Sequence, residues 1–237
     1  MAIKTRDVEY SHGDKVFEAR MYWDDARGPA PAVAVAHAWS GRAGHECEAA
    51  EKLAGEGYVG IALDVYGKGV LGQSVEENMA LMNPLIEDRQ LLQARLLAGL
   101  DAAAAQPEVD GGNMAAIGYC FGGLCVLDLA RVGAPLKGVV SLHGLFNPPG
   151  NTDGNSISAK VLVLHGWADP MVPPDTVVDL ATEMTRAGAD WQIHAYGHAL
   201  HGFTHDGPAV ADGIGYSESA DRRSWQSVLN FMAELFA

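Results

Sequence analysis

Three residues able to form a nucleophilic relay stand in the order Cys120, Asp169, His201, each a few positions beyond an apolar run. Cys120 lies in Gly118-Tyr119-Cys120-Phe121-Gly122-Gly123, after Met114-Ala115-Ala116-Ile117 and before Leu124, Leu127, Asp128 and Arg131 at helical spacings. A strand, a Gly-x-Cys-x-Gly turn and a helix in succession have the form of a nucleophile elbow. The turn is so sharp that a Cβ at 118 or 122 would meet neighbouring backbone, and the apex residue is held in strained φ/ψ. The apex also faces the positive end of the following helix, which favours a thiolate. A buried apolar filler is the competing reading of a lone cysteine, and the glycine frame argues against it here.

The other two members have separate reasons. His201 takes the thiol proton and returns one to a leaving alcohol; Asp169 fixes the imidazole tautomer and its charged form; the sulfur carries an acyl group until water cleaves it. Asp169 also has a plainer reading, as a cap for the helix after Pro173-Pro174. The spacing His198-x2-His201-x3-His205 suggests metal ligands, but Gly197, Gly202 and Pro208 oppose the helix that would align them. His201 is preferred because Gly202-Phe203 can turn its ring toward the sheet, with His198 and His205 solvated or behind it. The oxyanion needs backbone N–H donors, expected at Phe121 and at Trp39 in the turn His37-Ala38-Trp39-Ser40-Gly41. Trp39 also reads as an apolar pocket wall, a role compatible with donation from its backbone.

These residues need a scaffold. Val16–Tyr22 alternates like an edge strand, and Ala32–His37 is a continuous apolar run typical of a strand covered on both faces. The pattern then predicts a helix over Ala49–Glu56, a strand over Tyr58–Leu63, and a mostly helical stretch Glu76–Ala105 started or kinked at Pro84. Strands follow at Lys137–His143, Lys160–His165 and Trp191–Tyr196. A helix over Pro174–Ala187 has Val177, Val178, Ala181 and Met184 inward, and a last helix covers about Ser219–Phe236. Strands alternating with helices predict one α/β domain over residues 1–237, with a mostly parallel twisted sheet and helices on both faces. Ligands of such sheets bind at the carboxyl ends of the strands, where the three reactive residues gather.

Composition bounds the partners. A chain of 237 residues is long enough to bury a core without disulfides or metals. A formal charge of −14 opposes binding to nucleic acid or to an anionic membrane. Three cysteines without a spaced framework, and an N-terminus without an apolar segment, predict a soluble cytoplasmic protein.

The elbow, with Asp64-Val65-Tyr66-Gly67 upstream and Gly166-x2-Asp169-x2-Val172 and His201-Gly202-Phe203 downstream, resembles the dienelactone hydrolase family over about residues 15 to 236. The resemblance implies an α/β-hydrolase fold without a large cap and a triad of Cys120, Asp169 and His201, with Trp39 and Phe121 as oxyanion donors. It also implies hydrolysis of small esters or lactones without metal or organic cofactor, usually by a monomer. Two features depart from the family's best-known members. Their glutamate after the second apolar strand is Ala38 here, and their substrate-holding arginine after the triad histidine is His205. Arg89 is another candidate to hold an acid group, against the alternative of a solvated helix face. Tyr66, Phe146, Trp167 and the 147–156 loop are expected to shape the pocket. The resulting expectation is a cysteine-dependent esterase or lactonase, with a true dienelactone hydrolase (carboxymethylenebutenolidase) as one alternative and a non-catalytic ligand-binding protein as the other.

Overall fold

The computed structural model describes residues 2–209 and 211–237. Eight strands form one sheet in the order β1-β2-β4-β3-β5-β6-β7-β8. They are β1 Ile3–His12, β2 Lys15–Asp24, β3 Ala30–Ala36, β4 Val59–Ala62, β5 Val109–Tyr119, β6 Gly138–Leu142, β7 Lys160–Gly166 and β8 Trp191–Tyr196. The helices are α1 Gly44–Gly55, α2 Val75–Glu87, α3 Arg89–Ala104, α4 Phe121–Arg131, α5 Pro174–Arg186 and α6 Glu218–Leu235. The sheet is mostly parallel, with β1 and β2 antiparallel additions, so the class is α/β as the alternation of elements predicts. The chain divides into two compact units, the first closing at Ile117 and the second running Gly118–Ala237.

In the first unit the predicted edge strand proves internal. β2 pairs with β1 on one side and with β4 on the other. The outer strand β1 escapes a hydrophobic reading because Lys4, Arg6, Asp7 and Glu9 keep it polar, and only Val8 and Tyr10 are buried. Phe17, Met21, Ile61, Leu53, Leu92 and Leu96 fill the core, and β3 is buried from Ala32 to Ala36. The long predicted helix is two helices, and the break falls at Asp88 rather than Pro84. Pro84 lies within α2, while the Asp88 side chain accepts the Leu91 N–H at 2.9 Å and so starts α3.

The turn after β3 has a buried anchor. Glu46, in the first turn of α1 and 2 % exposed, accepts the N–H groups of Ala38 at 3.0 Å and Ala43 at 3.2 Å. Gly41 closes that turn at φ 98, and a Cβ there would come within 2.9 Å of the Val70 carbonyl oxygen.

In the second unit every residue of α4 is buried. Its final Arg131 is 1 % exposed and is held by both oxygens of Glu183 (2.7 and 2.8 Å), by Asp128 and by the Phe146 carbonyl. That network satisfies a charge which would otherwise be costly to bury. On α5 the inward stripe is Val177, Leu180 and Met184, at helical spacing, whereas Val178, one step round the helix, is 62 % exposed rather than inward.

Replacing Glu46 with alanine leaves two turn amides without their acceptor. Glu46→Ala is expected to lower the unfolding free energy by about 1–3 kcal/mol in urea denaturation.

Candidate active site

The site is built in the second unit from three strand ends. β5 delivers Cys120, whose backbone sits at φ 56 and ψ −114 immediately before α4. A cysteine has no intrinsic preference for that left-handed region, so the surroundings must impose it. They do so by close approach. A Cβ on Gly118 would lie 2.0 Å from the Gly122 carbonyl oxygen, and one on Gly123 would lie 2.6 Å from the Gly144 Cα. The Cys120 N–H donates to the Leu142 carbonyl at 3.1 Å, which ties the elbow to the end of β6. The side chain is half-buried, consistent with the raised apex expected of the motif.

Asp169 and His201 come together in the way their order predicts. His201 Nδ1 donates to Asp169 Oδ2 at 2.8 Å, and both residues are 2 % exposed. The other carboxylate oxygen of Asp169 accepts the Met171 N–H at 2.8 Å. Asp169 is therefore not the cap of α5, which starts behind Pro173. Backbone bonds hold the acid turn to the histidine loop: Trp167 N–H to the Tyr196 carbonyl at 2.9 Å, and Ala168 N–H to that of Ala199 at 3.0 Å. His201 itself is clasped by the 213–215 segment, its N–H donating to Gly213 and its carbonyl accepting from Gly215. His198 and His205 are both exposed. Among the described residues no three His, Cys, Asp or Glu side chains converge as metal ligands.

The electrostatics of His201 set opposing causes against each other. Burial pushes its pKa down, while the Asp169 hydrogen bond and the neighbouring Cys120 sulfur push it up, and the net value is about 10. Nε2 is buried without a partner in hydrogen-bonding geometry, so the Cys120 contribution is proximity rather than a formed bond. Bonds of this kind commonly close only when substrate arrives. Because the folded value exceeds the unfolded one, proton binding at His201 stabilises the fold fully below about pH 6.5, and that contribution is lost as pH rises through about 10.

The remaining predicted residues divide between the units. Phe121, buried, begins α4 directly after the nucleophile position. Phe146 is buried with its ring 5.5 Å from that of His165, and Trp167 stands 45 % exposed beside the acid turn. Phe146 and the 147–157 loop line a cleft of about 510 Å³ with Met171 and Val172, but neither Cys120 nor His201 borders it. In the first unit the Trp39 carbonyl accepts the Tyr66 hydroxyl at 2.9 Å, and Tyr66 is 2 % exposed. His37 supports the same turn: its Nε2 accepts the Val65 N–H at 3.2 Å, and burial pushes its pKa down, keeping that nitrogen an acceptor. Arg89 is buried at the start of α3, so it does not belong to a solvated helix face.

Sequence reasoning missed Glu46 and Thr204. Glu46 had one legible signal, an acidic residue in the first turn of a helix. Thr204 had none, since its hydrogen bond to His143 spans 61 residues.

The sheet topology and the strained elbow define an α/β-hydrolase. Comparison with known proteins narrows this further: the family model described as "Dienelactone hydrolase family" matches residues 17–236. The chain belongs to that family. It is 37 % identical, over 100 % of both chains and with a TM-score of 0.94, to a dienelactone hydrolase-like promiscuous phosphotriesterase from metagenomic libraries. An uncharacterized protein of Caenorhabditis elegans is 38 % identical over 62 % of this chain and 95 % of its own length. A putative carboxymethylenebutenolidase of Salmonella typhimurium is 27 % identical over 87 % of this chain and 78 % of its own. Among the described residues no helix is long and apolar enough to cross a membrane.

The His201 balance can be measured by NMR titration of its ring. The wild-type imidazole is expected to titrate near 10, and Asp169→Asn to lower that value, because the hydrogen bond and the charge of Asp169 that oppose burial are then lost.

Proposed function

We propose that this protein is a thiol hydrolase of small carboxylic esters or lactones, with Cys120 as nucleophile, His201 as proton carrier and Asp169 as its orienting acid. The observation that carries the reading is the left-handed Cys120 backbone in the same unit as the Asp169–His201 hydrogen bond. The cycle follows from these groups. The Cys120 sulfur attacks the acyl carbon and its proton resides on His201 Nε2. His201 then protonates the leaving alkoxide, and the neutral ring afterwards takes a proton from the water that cleaves the thioester. Asp169 accepts from Nδ1 throughout, which stabilises each charged form of the ring.

The amide of Phe121 is the proposed first oxyanion donor, since it follows the nucleophile at the positive end of α4. The second, Trp39, is carried from the sequence resemblance alone. Neither a metal nor an organic cofactor is required by these steps. Three cysteines with no disulfide among the described residues favour a reducing, cytoplasmic setting.

The dienelactone itself is a weaker substrate proposal, because Ala38 and His205 stand where a glutamate and an arginine would activate the thiol and hold a carboxylate. A second reaction, hydrolysis of phosphotriesters, is favoured by the full-length similarity to the metagenomic phosphotriesterase. It would use the same sulfur: the S–P bond forms as the P–O bond to the aryl oxide breaks, His201 protonates the aryl oxide, and water, deprotonated by His201, then cleaves the S–P bond.

Turnover of a panel of aryl esters, lactones, a dienelactone and an aryl dialkyl phosphate tests these readings together. Neutral esters or lactones are expected to lead, with Cys120→Ala lowering every activity by on the order of 10³ or more and Cys120→Ser keeping a measurable part. Unchanged turnover in Cys120→Ala would overturn the mechanism, and preferential dienelactone cleavage would overturn the substrate assignment.

A further inference from the structure

We propose that His143 and Thr204 form a positioning clamp that sets the angle of the His201 ring toward Cys120. The inference rests on reading Cys120 and His201 as the reacting pair. His143 follows β6, whose last residue, Leu142, accepts the Cys120 N–H, and the His143 N–H donates to the Leu164 carbonyl on β7 at 2.9 Å. Its backbone has φ 37. With Cys120 and His198 it is one of three non-glycine residues at positive φ among the described residues. Held there, the His143 ring meets the histidine loop. Its Nε2 lies 2.8 Å from the Thr204 hydroxyl, with both residues buried. The ring also packs edge-on to His201, at 5.4 Å between centroids, and to Phe203, at 5.1 Å.

The physical need is specific. The Asp169 hydrogen bond fixes one edge of the His201 imidazole, but a ring held at one atom can still tilt about that bond, because its terminal torsion is broad. His143 packs against the ring and removes part of that freedom. Thr204, three residues after His201, anchors His143 to the turn that bears the ring. One hydrogen bond thus links the strand end that holds the nucleophile's N–H to the loop that carries its base. His143 and Thr204 need not touch substrate; they act through His201.

Two measurements test the clamp, ester turnover and the second-order rate of Cys120 alkylation by iodoacetamide. Thr204→Val removes the hydroxyl at nearly constant shape, and His143→Phe keeps a ring without the nitrogen. Each is expected to lower kcat and the alkylation rate about tenfold, with KM within about twofold, since misplacing a reacting group by an ångström costs up to ~10²-fold in rate. Thr204→Ser should restore both rates to within about twofold of wild type, and the double variant should be no slower than either single one. A merely structural role would move stability and leave these rates and the serine rescue unchanged. Rates within about twofold of wild type in a folded Thr204→Val, or additive losses in the double variant, would overturn the clamp. Should wild type cleave no ester while alkylation follows the expected pattern, the clamp stands and only the ester reading falls. Should esters be cleaved at rates indifferent to Thr204, the clamp alone falls.

Discussion

The backbone of Cys120 is forced into a region that its own chemistry does not favour, and the second unit is arranged so that it has no alternative. Gly118 sits 2.0 Å, by its missing Cβ, from the Gly122 carbonyl, so strand and helix meet without room for any side chain at that crossing. Gly123 lets α4 approach Gly144 in the loop after β6. The strain is sustained because α4 is buried along its whole length and its far end is pinned by the Arg131–Glu183 pair. Energy stored at the elbow is offset by packing along the helix that follows it.

The second constraint is the buried pair of Asp169 and His201. An isolated charge 2 % exposed would be expelled or neutralised, but here each group answers the other, and Met171 supplies a further N–H to the carboxylate. Against the lowering effect of burial, the same pairing and the neighbouring Cys120 sulfur together raise the imidazole pKa to about 10. Stability and reactivity therefore draw on one contact. Backbone bonds from Trp167 and Ala168 to the histidine loop set the distance across which that contact forms.

The first unit shows a parallel device on a smaller scale. The turn after β3 has no glutamate at position 38, yet a glutamate reaches it from the first turn of α1, holding the Ala38 N–H through Glu46. Tyr66 and His37 bond to the same stretch, at the Trp39 carbonyl and the Ala38 carbonyl. A short loop with three such anchors in its own unit has little freedom to drift.

Local chemistry wrote the alternation of elements, the glycine frame of the elbow and the order of cysteine, acid and histidine into the chain. These are legible because each depends on neighbours a few residues away: a turn needs its own glycines, and a buried strand needs its own apolar run. β1 was hidden for the converse reason, since a polar edge strand carries little hydrophobic signal. The break at Asp88 was hidden because a side-chain cap competes with a proline four residues earlier. Only the tertiary structure decided that Glu46 holds the Ala38 turn, that Arg89 is buried, and that His143 reaches Thr204 across 61 residues. Such contacts are selected by packing between distant segments, whose spacing along the chain carries no periodicity to read.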